Sequence, residues 1–154
     1  MITYLPEIYP DELVYSWFCR YTVHSGYIAH KRVLQDLYCK KSDTPIKEFI
    51  GNLNSEAREC IDRMYPLRDL VLNHTMYPQY ARFIPLEQKK DALYKLCYEN
   101  CDAHHLFAVL PRCEKERYLK YCPVCASEDR QRYGETYWHR KHQIRNIGIC
   151  PKHK

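Results

Sequence analysis

No stretch of this 154-residue sequence approaches the roughly 18 consecutive apolar residues a membrane-crossing helix needs, and its mean hydropathy is -0.63. The opening Met1-Ile2-Thr3-Tyr4-Leu5-Pro6 also lacks the apolar core of a secretory signal. The expectation is a soluble protein with no membrane partner. Nine cysteines cannot all pair, and six of them (Cys19, Cys39, Cys60, Cys97, Cys101 and Cys113) follow no disulfide framework. A reducing cytoplasm is the natural compartment, with most of these thiols serving as small core residues. Enzyme patterns are missing as well. No histidine is followed two places on by glutamate, and Pro123 follows Cys122 instead of preceding it, so the zinc-deaminase signature is absent. The strand and helix alternation that would make a Cys-x-x-Cys pair a thioredoxin-like redox centre is lacking too. A non-enzyme is expected.

What the sequence does contain is concentrated in its last third. Cys122-Pro123-Val124-Cys125 is answered by Cys150-Pro151-Lys152-His153. Each pair encloses two residues, so a tight knuckle can turn both side chains toward one point while the intervening chain loops out. Three thiolates and an imidazole complete the closed tetrahedron preferred by structural zinc, which makes Cys122, Cys125, Cys150 and His153 the predicted Zn2+ ligands. His139 and His142 are potential extra ligands beside a complete site, and are assigned hydrogen-bonding or phosphate-facing roles.

Charge separates the chain into two expected parts. Residues 1–110 carry 13 Lys and Arg against 14 Asp and Glu, whereas residues 111–154 carry 11 against 5. The surplus of positive charge on the metal module creates a local field suited to a phosphate-rich partner. Arg130, Arg132, Arg140, Lys141, Arg145 and Lys152 are the candidate contacts to double-stranded DNA, made through phosphates and therefore salt-dependent.

Periodicity predicts a mainly α fold: a small helical, helix-turn-helix-like amino-terminal domain over 1–110, then a basic Cys3His zinc-finger module over 111–154. A helix is predicted over 10–25, with Pro10, Asp11 and Glu12 in its first turn, a buried stripe of Trp17, Phe18 and Tyr21, and Gly26 closing it. A second runs from about Ala29 to Cys39. A brief third opens at Thr44-Pro45 and passes through Phe49 and Ile50. A fourth is capped by Asn54 or Ser55, carries Ala57, Ile61 and Met64, and ends at Pro66. Proline-fixed loops are expected at 74–78 and 83–85, a long helix from Leu86 to about Leu110 with His104 and His105 near its end, and a charged linker over 111–120. Gly134 permits a turn, and Tyr137 and Trp138 are expected to pack against the knuckles.

Several stretches together resemble the TniQ/TnsD family of transposon target-selection proteins. They are Leu5-Pro6-Glu7-Ile8-Tyr9-Pro10-Asp11-Glu12-Leu13-Val14-Tyr15-Ser16-Trp17, His74-Thr75 with Phe83-Ile84-Pro85, and Tyr121-Cys122-Pro123-Val124-Cys125 with Tyr133 through Arg140, His142-Gln143 and Cys150-Pro151-Lys152-His153. The resemblance implies a bacterial, DNA-associated adaptor that recognises attachment-site DNA or a DNA-bound RNA-guided effector. It also implies recruitment of a TnsC-type AAA+ ATPase, which in turn engages the transposase. Longer family members continue with further zinc-binding and helix-turn-helix segments. This sequence ends one residue after His153, either as a fragment or as a minimal member, so little sequence preference is expected of it. The alternative is a zinc-stabilised DNA-binding regulator whose role ends at DNA. The division of charge assigns ATPase docking to the amino-terminal part, through Tyr4, Tyr9 and Tyr15 beside the acids Glu7, Asp11 and Glu12.

Overall fold

The structure, a computed structural model, describes residue 2 and residues 4–28, 30–39, 46–101, 106–107 and 118–154. Among these residues it is mainly helical, with two isolated β-bridges and no strand. Helix α1 (Val14–His24) forms because Val14, Trp17, Phe18 and Tyr21 recur at helical spacing and are all buried. The Trp17 indole N–H donates to the Pro6 carbonyl at 2.7 Å, which ties the preceding segment to the helix. Gly26, at φ +69°, follows its end.

Helix α2 (His30–Leu37) contributes Val33 and Leu37 to the core. The chain then returns through a bridge between Tyr38 and Leu53. Gly51 is required at this turn, since a Cβ there would stand 2.9 Å from Cε1 of Tyr38. Helix α3 (Ser55–Met64) is capped by Asn54, whose side-chain oxygen accepts the Ala57 N–H at 2.7 Å, worth about 1 kcal/mol. Ala57 and Ile61 face inward while Met64 is exposed. Helices α4 (Leu67–His74), α5 (Tyr77–Ala81) and α6 (Leu86–Tyr98) follow at once, with α4 packed against α3, α5 and α6. Helix α7 (Pro123–Tyr133) ends at Gly134, which adopts φ +81°, and a 3-10 turn occupies Lys141–Gln143.

Four expectations are corrected. The first helix begins at Val14, not residue 10, because Asp11 sits at φ 59° and breaks the helical path. Residues 46–50 bend without forming a helix, and the predicted start at Thr44-Pro45 lies outside the described residues. Helices α4 and α5 occupy the span read as a break and a loop: Pro66 precedes α4, and Pro78 falls in the first turn of α5, where its missing N–H has no intrahelical partner to lose. Helix α6 closes at Tyr98. His104, His105, Cys113 and most of the expected linker lie outside the described residues, as does the start of the second helix at Ala29.

A single apolar cluster runs from Leu5 through α1–α6 to Phe107, and Trp138 and Ile144 from the carboxy-terminal segment pack against it. Trp138 thus serves the main core more than the metal knuckles, although it also meets Tyr121 edge-on. Backbone bonds join the two ends of the chain: Leu13 N–H donates to Trp138 O (2.9 Å) and Arg140 N–H to Asp11 O (2.7 Å), while Trp138 N–H donates to the Ser16 hydroxyl (3.0 Å).

Candidate metal centre

Two local devices place the four predicted ligands. Cys122 precedes α7, with Pro123 in the first turn, and the Ala126 N–H donates to the Cys122 carbonyl at 3.0 Å. The second knuckle closes in the same way, with the Lys154 N–H on the Cys150 carbonyl at 3.0 Å. The candidate ligand atoms of Cys122, Cys125, Cys150 and His153 all lie within 4.8 Å of one another, a cluster able to hold a metal ion.

Its dimensions suit a tetrahedral ion. Bond lengths of about 2.3 Å to sulfur and 2.0 Å to nitrogen give tetrahedral edges of roughly 3.8 Å between sulfurs and 3.5 Å between sulfur and nitrogen. The Sγ atoms of Cys125 and Cys150 are 3.7 Å apart, and His153 Nδ1 lies 3.5, 3.4 and 3.6 Å from the sulfurs of Cys122, Cys125 and Cys150. The thiols are also prepared for ionisation. The backbone N–H of Cys125 lowers the Cys122 pKa, and although burial alone would raise Cys150, the N–H groups of His153 and Lys152 bring it down to about 5. Cys125 is the exception, pushed up to about 12 by burial and by the neighbouring sulfurs. A cation at the centre would reverse that, because a coordinated thiol gives up its proton.

The carboxylates around the cluster were not foreseen from the sequence. His153 turns its other ring nitrogen toward Glu128 Oε1 at 3.2 Å, and Lys152 Nζ sits 2.6 Å from Glu128 Oε2. A carboxylate behind a ligating imidazole fixes its tautomer and orientation. His139 Nε2 lies 2.7 Å from Asp129 Oδ2, with the His139 ring stacked on Tyr137 at 4.3 Å. Helical spacing carried this signal: once α7 starts at Pro123, Glu128 and Asp129 fall three and four residues after Cys125, on its face. His142 Nε2 stands 3.7 and 3.5 Å from the sulfurs of Cys125 and Cys150, beside the four-atom cluster. Gln143, 1% exposed, ties the turn to the start of the module by exchanging hydrogen bonds with the backbone of Lys120 (3.0 and 2.7 Å).

The six predicted DNA-facing cations divide into two groups. Arg130, Arg132, Lys141 and Lys152 are exposed. Arg140 is half-buried, with Nη1 donating to the Leu72 carbonyl at 2.8 Å and Nε facing Asp11 at 3.4 Å; Arg145 faces Glu48 at 3.8 Å and lies over the Tyr80 ring. Among the predicted docking residues, Tyr4 and Glu7 are exposed and Tyr15 is half-buried. Glu12 is not an exposed acid: it is 0% exposed, its Oε2 accepting from Arg20 at 2.8 Å and from the Tyr9 N–H at 2.9 Å. Burial raises its pKa to about 7 against the lowering bonds from Tyr9 and Arg20. Tyr9 stacks on Tyr133 at 4.3 Å and donates to Glu135 at 3.0 Å, and Asp11 receives Arg140 and the Lys141 N–H. The side chains of Tyr9 and Asp11 face the carboxy-terminal segment because that segment supplies their partners, whereas Glu12 is held by Arg20 and Tyr9 of its own end of the chain.

A family model described as TniQ matches residues 3–154. The chain belongs to the TniQ family. Among curated relatives, this TniQ-family chain is 29% identical over 151 residues to the Transposon Tn7 transposition protein TnsD of Escherichia coli. The alignment covers 96% of the chain and 30% of that relative, so the chain spans about a third of the length of the protein it matches.

Proposed function

We propose that this TniQ-family chain is a non-enzymatic target-selection adaptor of transposition, which contacts target DNA or a DNA-bound effector and recruits a TnsC-type AAA+ ATPase. The observation that carries the proposal is the family match over residues 3–154, together with the likeness to a transposition protein. In this reading the Cys3His cluster holds Zn2+ as a structural ion, since four protein ligands leave no open position for catalysis. The zinc-finger reading of the ligand module, and the helix-turn-helix-like reading of the amino-terminal helices, belong to the same proposal.

Exposure sorts the contacts. Arg130, Arg132, Lys141 and Lys152 meet phosphates, while Arg140 and Arg145 hold the fold behind them. Tyr4 and Glu7 offer the accessible part of the ATPase-docking surface; Tyr9, Asp11 and Glu12 act by shaping it. The test is capture of the cognate ATPase by the purified, zinc-loaded chain on duplex DNA with ATP. Recruitment by wild type and its loss in Tyr4→Ala, Glu7→Ala supports the adaptor reading. Duplex binding without any ATPase capture would leave a DNA-binding regulator instead. The Arg130→Ala, Arg132→Ala variant is the cleaner probe of DNA contact, because it disturbs neither internal pair.

A further inference from the structure

A cavity of about 170 Å³ opens between α5 and the Lys141–Gln143 turn, where the amino-terminal helices meet the metal module. Its floor includes Met76 and Pro78, and its polar wall is Gln79, Arg82, Arg140 and Lys141. None of the described residues that wall it is acidic. Arg82 is exposed and has no ion-pair partner among the described residues, and Lys141 is exposed beside it. The buried Oε1 of Gln79 has no hydrogen-bond partner there either. A primary amide can turn about its last bond to present N–H instead of carbonyl, so with Arg140 already held by Leu72 and Asp11 the wall offers the donors of Arg82, Lys141 and the Gln79 amide. Such a wall selects an oxyanion.

The dimensions identify the kind of anion. Cavities that enclose whole drug-sized molecules run to about 300–1,000 Å³, so this one takes a group carried on a larger molecule. Lys141 also walls a neighbouring cavity of about 260 Å³ where Arg132 stands. The acids of that second cavity are already engaged: Asp11 by Arg140, Glu128 by Lys152 and His153, and Asp129 by His139. That second cavity also reaches Cys125 and Cys150 of the candidate metal cluster, so what continues from the first is its rim of Lys141 and Arg132, and a cationic rim that runs on past the seat suits a strand of phosphates better than a single free anion.

We propose that the cavity seats a backbone phosphate of a bound nucleic-acid duplex, with Arg82 of the amino-terminal part as a contact outside the basic module. The seat rests on the DNA-contact reading above and extends it across the junction of the two parts. A phosphate contact releases counterions, so each one lost lowers the salt dependence of binding by about one charge and weakens binding uniformly across sequences.

The experiment is anisotropy titration of a labelled duplex with the full zinc-loaded chain from about 50 to about 200 mM salt. Arg82→Ala is expected to weaken binding about fivefold with a shallower salt slope, and Gln79→Glu to weaken it further by placing a carboxylate in the wall. Arg63→Ala, which removes an exposed cation on α3, serves as the charge control. If Arg82→Ala and Gln79→Glu match that control while Arg130→Ala, Arg132→Ala binds poorly, the seat is refuted and the DNA reading stands. If wild type binds no duplex at low salt, both fall. Calorimetry with inorganic phosphate and with ATP separates the sources. Arg82-dependent binding of either one, without an effect of Arg82→Ala on the duplex, overturns the assignment to nucleic acid.

Discussion

Replacing Arg20 by alanine tests the junction between the two ends of the chain. Its guanidinium is 8% exposed, lies 3.7 Å over the Tyr9 ring, and donates to Glu12 and Glu135 at 2.8 Å and to the Glu7 carbonyl at 3.0 Å. Removing it leaves Glu12 as a buried carboxylate whose Oε2 keeps the Tyr9 N–H and whose Oε1 has no hydrogen-bond partner among the described residues. Breaking a buried pair on one side costs about 3–5 kcal/mol, and Glu135, 27% exposed, adds little because water reaches it. A chain of this size shifts its melting temperature by about 2–4 °C per kcal/mol, so a loss of roughly 10 °C is expected. The pH dependence gives the result its signature. Glu12 has a folded pKa of about 7, above its ordinary 4.5, so the folded protein takes up a proton that the unfolded chain does not. Its contribution to stability is therefore present at low pH and falls as pH rises through that window. Without Arg20 the carboxyl can still escape its penalty by protonation, so the Arg20→Ala deficit should be larger at pH 8 than at pH 6, and Glu12→Gln should rescue much of it. Thermal denaturation in metal-saturated buffer provides the measurement. A shift under about 2 °C at pH 8, or equal shifts at both pH values, would show that the network is not a buried ion pair.

Metal analysis of the reduced protein should find one zinc per chain, and Cys122→Ser, Cys150→Ser should lose it and unfold α7 and the second knuckle while much helical circular dichroism from α1–α6 persists; full metal retention in that variant would sink the ligand assignment. Glu128→Gln should keep the ligand set yet weaken zinc about tenfold in a chelator competition, since the imidazole of His153 loses its carboxylate; unchanged affinity would make Glu128 a surface residue. Gly51→Ala should destabilise by about 1–3 kcal/mol in urea melts, because the Tyr38 ring 2.9 Å away must shift. A midpoint equal to wild type would mean the turn adjusts freely.

The parts of this molecule that were legible in its sequence are the local ones. Trp17, Phe18 and Tyr21 declare α1 because burial on one helical face needs only their spacing, and Asn54 caps α3 through a bond spanning three residues. The four residues of the candidate metal cluster show themselves for the same reason, each knuckle being closed within five residues. Helices α4 and α5 were hidden by Pro66 and Pro78, which break a helix interior but are tolerated at its start. The docking of Asp11 on Arg140, or of Arg20 on Glu135, leaves no periodic trace, because the partners are more than 110 residues apart. Two acids that look like a free negative surface in the sequence are consumed inside the fold: Asp11 by Arg140 from the far end of the chain and Glu12 by Arg20.

That long closure bears on how the protein is made. The bonds from Leu13 to Trp138 and from Arg140 to Asp11 can form only after the segment through residue 140 has left the ribosome. Until then α1 waits with Arg20 and Glu12 unshielded and with the apolar ground beneath Trp138 open to water. Contacts of such separation slow folding, and the waiting surface is a place for premature association. Closure of the fold over the first helix is therefore timed by the arrival of the segment around Trp138 and Arg140.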